Sequence, residues 1–162
     1  MGDRLYQAVV ADEPRLLVRD RPTGRILRAA PLATAPVALV ADSLRVYAAA
    51  GSPAHATVEA LVPDRPRPLT LWRRRLVGID GRRATLRLRP GRPELLLLAP
   101  PRLVVLARGD GRTLAVLRPV RDAVLLADGT VLALRPTGWL LRRRLRQPPP
   151  DTLPLPLETP TP

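Results

Sequence analysis

The residue types usually entrusted with acid–base and nucleophilic chemistry are scarce in this chain. There is one histidine, His55, and the only serines are Ser43 and Ser52. A general base needs a pKa near the working pH, and His is its commonest supplier. His55 has Ser52 three residues before it and Glu59 four residues after it. On a helix His55 and Glu59 would meet. On an extended strand they share a face but stand roughly 13 Å apart, too far for a hydrogen bond. His55 therefore reads as structural. Neither serine lies in a Gly-x-Ser-x-Gly elbow. Without lysine no Gly-x-x-x-x-Gly-Lys phosphate loop is possible, and no Gly-x-Gly-x-x-Gly occurs. The absence of cysteine removes disulfides, thiolate zinc sites, iron–sulfur clusters and thiol nucleophiles together. Asp80, Asp110 and Asp128 each precede a glycine. They could hold a hard cation if their turns gathered at one end of a barrel, but turn aspartates usually cap their own backbone. The expectation is a non-enzymatic protein with no catalytic residue, metal or cofactor.

Arginine carries the functional signal. The chain has 27 basic against 14 acidic residues, a formal net charge of +13. The missing Lys, Asn and Phe and the abundant Arg, Ala and Pro match a GC-rich genome, so arginine in place of lysine is not by itself a phosphate code. The excess of charge still predicts attraction to polyanions. It is concentrated between Arg65 and Arg92, with ten arginines and one acid, and between Arg135 and Arg146, with five arginines and none. Each segment sets an arginine triplet beside a tryptophan: Trp72-Arg73-Arg74-Arg75 and Trp139-Leu-Leu-Arg142-Arg143-Arg144. Arginine can bind phosphate while the indole stacks on a base or packs the arginine stems. The candidate polyanion site comprises Arg73, Arg74, Arg75, Arg87, Arg89, Arg142, Arg143 and Arg144, with Trp72 and Trp139 as stacking partners. The plainer alternative makes each Trp a core anchor and the arginines a charged, aggregation-resistant strand edge. Four aromatics are too few for a stacking platform, and without Asn there is little to read bases, so contacts to nucleic acid would be to phosphate.

These residues must be positioned by β-structure. Short apolar runs recur at roughly ten-residue intervals between turn signals, the mark of antiparallel strands. Asp80-Gly81, Asp110-Gly111 and Asp128-Gly129 supply hairpin chemistry. They are expected to join Leu69–Ile79 to Arg83–Arg89, Leu103–Ala107 to Thr113–Arg118, and Ala123–Ala127 to Thr130–Arg135. Turns at 21–24 and 42–43 would reverse the chain earlier, although Ala48-Ala49-Ala50 also suits helix. Alternation makes 83–89 cationic on one face and apolar on the other. Leu95–Leu98, Leu103–Leu106, Val124–Leu126 and Val131–Leu134 are apolar on both faces, as strands covered on two sides would be. The core is thus expected in the C-terminal half, in a predominantly antiparallel all-β sandwich or barrel. The hairpin rhythm resembles that of β-propeller blades, but no blade signature recurs, and about a dozen strands would fill only about three four-stranded blades. Gly138–Gln147 fits a short cationic helix as well as an edge strand.

At 162 residues one domain is the default, here 1–147, with a possible sub-boundary at the proline-rich 63–68. Residues 148–162, with seven prolines, read as a disordered, polyproline-like tail. The octet Arg21–Arg28 matches Arg135–Arg142 at six of eight positions, by duplication or by reuse of a convenient Pro-Thr-Gly turn. The apolar runs are about a quarter of the length that spans a bilayer. No signal-peptide pattern occurs, and a cytoplasmic location is expected. The leading function is an interaction module that binds an anionic partner, either a nucleic acid backbone or an acidic protein surface. The alternative is a structural or accessory subunit of a larger assembly, such as a virion or secretion machinery, with its arginine excess set by the genome.

Overall fold

The computed structural model describes residues 4–10, 12–63, 68–88, 92–126, 128 and 130–144. Among them the chain forms four small antiparallel sheets, each an up-and-down meander in chain order. The first holds β1 (Arg4–Val9), β2 (Arg15–Asp20) and β3 (Ile26–Pro31). The second holds β4 (Ala38–Ala41), β5 (Val46–Ser52), β6 (His55–Val62) and β7 (Leu69–Val77). The third holds β8 (Thr85–Leu88), β9 (Glu94–Ala99), β10 (Arg102–Ala107) and β11 (Thr113–Leu117). The fourth holds β12 (Asp122–Leu125), β13 (Thr130–Leu134) and β14 (Leu140–Arg144). No helix among the described residues is long and apolar enough to cross a membrane.

The protein is all-β, as expected, but the sheets do not close into a barrel. They stack in a row, and three apolar interfaces hold the row together. Leu16, Leu32, Val46 and Leu61 fill the gap between the first and second sheets. Tyr47, Val58, Trp72, Leu95, Leu97 and Leu106 fill that between the second and third. Leu96, Leu98, Leu103, Val131 and Ala133 fill that between the third and fourth. Every residue of β9 is buried because odd positions face one neighbouring sheet and even positions the other. Burying each such leucine contributes about 1.5–3 kcal/mol.

The core is therefore not confined to the C-terminal half. Ala48, Ala49, Ala56 and Ala60 are buried in strands, where small side chains let sheets approach closely. The expectation that Val124–Leu126 would be covered on both faces fails for a positional reason. Among the described residues no sheet covers the outer face of the fourth, and Val124 is 47% exposed.

Two of the three Asp-Gly turns are hairpins. Asp110 Oδ1 accepts from the Arg112 amide at 2.9 Å between β10 and β11, and Asp128 Oδ1 accepts from the Thr130 amide at 2.8 Å between β12 and β13. Asp80-Gly81 is not a hairpin, for β7 and β8 belong to different sheets. Asp80 caps a 3-10 turn, Gly81–Arg83, on the link between them. Gly81 is needed there for its lack of a side chain. A Cβ would run into the His55 carbonyl oxygen and lie 2.8 Å from Gly51 Cα, so two glycines pack backbone to backbone.

Of the segment Gly138–Gln147, the described part, 138–144, takes the edge-strand option and not the helical one. Leu140–Arg144 is strand, paired with β13 from Leu134↔Leu140 to Thr130↔Arg144, which places Leu141 against the third–fourth sheet core. The 63–68 stretch lies between two paired strands of one sheet. The tail, 148–162, lies outside the described residues.

The repeated octet closes two different turns. Asp20 donates to the Arg25 carbonyl and encloses four residues, whereas Arg135 donates to the Trp139 carbonyl and encloses three. The two turns lie in different sheets, the first and the fourth. Reuse of a Pro-Thr-Gly turn accounts for this, with Gly24 and Gly138 both at positive φ, +68° and +86°.

Candidate functional site

The most elaborate polar arrangement joins the second and third sheets at one rim. Asp42, in the β4–β5 turn, accepts from the amides of Leu44 and Arg45 at 2.8 Å through Oδ1, and its Oδ2 takes the Arg108 guanidinium and the Tyr47 hydroxyl. Arg108 also donates to the Arg92 carbonyl at 2.7 Å, and its own carbonyl receives the Trp72 indole N–H and the Arg45 guanidinium, each at 3.0 Å. Burial pushes the Asp42 carboxyl up, but the two amides and Arg108 outweigh it and hold the group below its usual range. Burial works to lower Arg108, while Tyr47 and Asp42 raise it further. Both groups stay charged and saturated, which suits a clamp between sheets and not proton transfer. The sequence offered no signal for it. Asp42 and Arg108 lie 66 positions apart, and no local pattern links them.

His55 and Glu59 both lie on β6, in the extended conformation that separates them. Ser52 Oγ lies 2.9 Å from His55 Nδ1 across the β5–β6 turn, while buried Glu59 takes two hydrogen bonds from Arg73. The three residues form no relay. Asp80, Asp110 and Asp128 each accept from the amide two residues on. No cluster of metal-ligating side chains occurs among the described residues.

The candidate arginines do not gather into one patch. Trp72 and Leu76 face the third sheet, so by alternation Arg74 shares that side, and its Nε donates to the Gly111 carbonyl at 3.2 Å. Arg73 and Arg75 point to the opposite face, toward Glu59. Arg87 alternates with Leu86 and points to the side of the third sheet that meets the fourth. Arg142 and Arg144 alternate with Leu141 and lie on the outer face of the fourth sheet, while Arg143 has the opposite parity. Arg89 lies outside the described residues.

What the triplets share is their place. β7 and β14 are both edge strands, each the last in its sheet. Arg75, Arg87, Arg142, Arg143 and Arg144 are exposed, with no carboxylate at ion-pair distance among the described residues. The two tryptophans differ. Trp72 is 8% exposed, tilted against Tyr47 at 6.1 Å between centroids and pressed on Gly111, with no open face for a base. Trp139 is 75% exposed and Leu140 69%. Asp128 is held below its usual range first by the Thr130 amide and hydroxyl, and then by the field of Arg142 and Arg144.

No family model matches the chain, and no curated protein matches it. Among solved structures it is similar to BamB from Moraxella catarrhalis, a β-propeller, with a TM-score of 0.50 and 14% identity. The likeness covers 82% of this chain and 40% of that one, so the chain spans less than half the length of the protein it matches. At that identity the likeness concerns the fold: successive meander sheets stacked face to face, as in a run of propeller blades.

Proposed function

We propose that this protein is a non-enzymatic interaction module that binds an anionic partner through arginines on its sheet edges, and that the partner is an acidic polypeptide surface in preference to a nucleic acid backbone. The observation that carries the reading is the set of exposed arginines that have no carboxylate at ion-pair distance among the described residues, Arg75 on β7 and Arg142–Arg144 on β14. A phosphate backbone calls for cations converging on one groove, and these point to different faces. Trp72, enclosed between Tyr47 and Gly111, has no face to offer a base. The saturated Asp42–Arg108 clamp and the self-capping aspartates support a non-enzymatic role.

Titration with poly-glutamate at about 50 and about 200 mM salt tests the reading, with a mixed-sequence DNA duplex alongside. Poly-glutamate is expected to bind at low salt, to weaken roughly tenfold or more at the higher salt, and to outbind the duplex. No binding of either polymer to the folded protein at low salt would overturn it.

A second reading, a structural subunit within a larger assembly, is favoured by the two ends of the row. Leu5, Ile26 and Leu27 on the first sheet and Val124 on the fourth are exposed where an interior sheet would be covered. Association that persists unchanged at high salt would favour it.

A further inference from the structure

We infer that the free edge of β14 is a docking edge that receives an extended acidic strand as the missing fourth strand of its sheet. The inference rests on the anionic-partner reading and gives it a geometry. The second and third sheets have four strands, and the fourth has three. Rim by rim, β14 holds the place that β6 and β10 hold in those sheets, since each is the third strand upward from a link at the same rim. On β6 and β10 a fourth strand is laid, β7 and β11 respectively. On β14 nothing is laid among the described residues.

The register says which groups are free. Arg121 donates to the Leu134 carbonyl, and Leu126 donates to the Thr130 carbonyl, so these β13 residues bond toward β12. Arg135 donates to Trp139 on the other side. Alternation then directs the backbone groups of Leu141 and Arg143 to β13 and those of Leu140, Arg142 and Arg144 outward. The same three residues put their side chains on the open face of the sheet. An incoming strand would thus meet a row of outward N–H and C=O groups flanked by two arginines, Arg142 and Arg144, whose Cα atoms stand about 7 Å apart along the strand, and by the exposed Trp139 and Leu140. A nucleic acid backbone could satisfy the donors but not the carbonyls. A second copy pairing β14 with β14 antiparallel would oppose arginine to arginine, which is unfavourable. A strand with carboxylates at every second position meets both demands.

The probe is the peptide acetyl-Thr-Glu-Val-Glu-Val-Glu-Thr-amide, added to the full chain, with amide hydrogen exchange read residue by residue. Binding is expected to slow exchange at Leu140, Arg142 and Arg144 roughly tenfold or more and to leave Leu141 and Arg143, already paired with β13, little changed. Arg142→Gln and Arg144→Gln together keep the amides and should weaken the peptide roughly tenfold. Arg142→Pro removes an outward donor that the sheet itself does not use, and should abolish the protection with Arg143 still protected. Should that variant lose β14, the same peptide N-methylated on alternate amides tests the ladder against the unaltered protein, and should fail to protect.

Three results would overturn the inference: a bound peptide that leaves those amides unprotected; amides protected before any peptide is added, which would mean the edge is already covered; or a mixed-sequence oligonucleotide that protects them in the peptide's place. The first leaves the anionic-partner reading standing. That reading itself falls only if neither poly-glutamate nor the duplex binds the folded protein at low salt.

Discussion

Trp72-Arg73-Arg74-Arg75 and Trp139-Leu-Leu-Arg142-Arg143-Arg144 look alike in sequence, and both end up on edge strands, yet they do opposite things. In the first, the second and third sheets close over the indole, Glu59 takes Arg73 and the Gly111 carbonyl takes Arg74. In the second, among the described residues, no further sheet covers the outer face, the indole is exposed and no carboxylate sits at ion-pair distance from the arginines. The difference comes from position in the stack. A side chain between two sheets is dehydrated and must be packed and paired, whereas the same side chain on a terminal sheet keeps its water.

The largest test of this contrast is truncation of the two tryptophans. Trp72→Ala leaves a cavity against Tyr47 and Gly111 and removes one of the two donors to the Arg108 carbonyl, and should cost about 3–5 kcal/mol in chemical denaturation. Trp139→Ala should stay within about 0.5 kcal/mol. Equal losses would break the comparison.

Cutting the clamp comes next. Asp42→Ala leaves Arg108 and the turn amides without their acceptor, and a loss of about 3 kcal/mol is expected near neutral pH. Because the Asp42 pKa is lowered on folding, the stability it contributes is present above the ordinary carboxylate value. It is lost as pH falls below that value toward the lowered one. Wild-type and variant denaturation curves should therefore converge in acid, and a gap that widened there would contradict the sign.

The glycines behind each tryptophan segment give a finer comparison. Gly111 and Gly138 both have positive φ, but a Cβ on Gly111 would lie 2.5 Å from Trp72 Cε3, and a Cβ on Gly138 meets nothing within 4 Å. Gly138→Ala should cost about 1 kcal/mol from backbone strain alone. Gly111→Ala should cost about 1–3 kcal/mol more, the price of overpacking. Thermal midpoints that shift equally would mean that Trp72 moves aside freely.

The smallest effect expected is that of single arginines. Arg73→Gln strands the buried Glu59 and should cost about 1–2 kcal/mol, while Arg143→Gln should change stability by less than about 0.5 kcal/mol. Parallel urea titrations would separate them.

Strand positions and hairpin ends were legible in the sequence wherever two local signals agreed. The short apolar run Leu103–Leu106 together with Asp110-Gly111 specified β10, its turn and β11. Asp80-Gly81 carries the same dipeptide without a hairpin, because a dipeptide cannot say whether the strands beside it will pair with each other or with others. The Ala-rich β5 was ambiguous for a related reason, since alanine favours helix in isolation and small volume matters only once two sheets approach. The candidate arginines were identified by type and not by direction. Parity within a strand is a local property, but which side of the strand faces a neighbouring sheet is not.

Sequence alone determined that the chain is all-β, that several of its turns sit at Asp- and Gly-bearing positions, and that titratable chemistry is sparse, because each follows from residue type and spacing of two to four positions. Only the tertiary structure decided that the sheets stack in an open row, that Asp42 meets Arg108, that Trp72 is enclosed and Trp139 is not, and that the fourth sheet has three strands among the described residues where the second and third have four. Those outcomes depend on which surfaces meet across tens of residues, and a contact of that kind is settled by the burial and pairing of both partners together, which neither segment encodes alone.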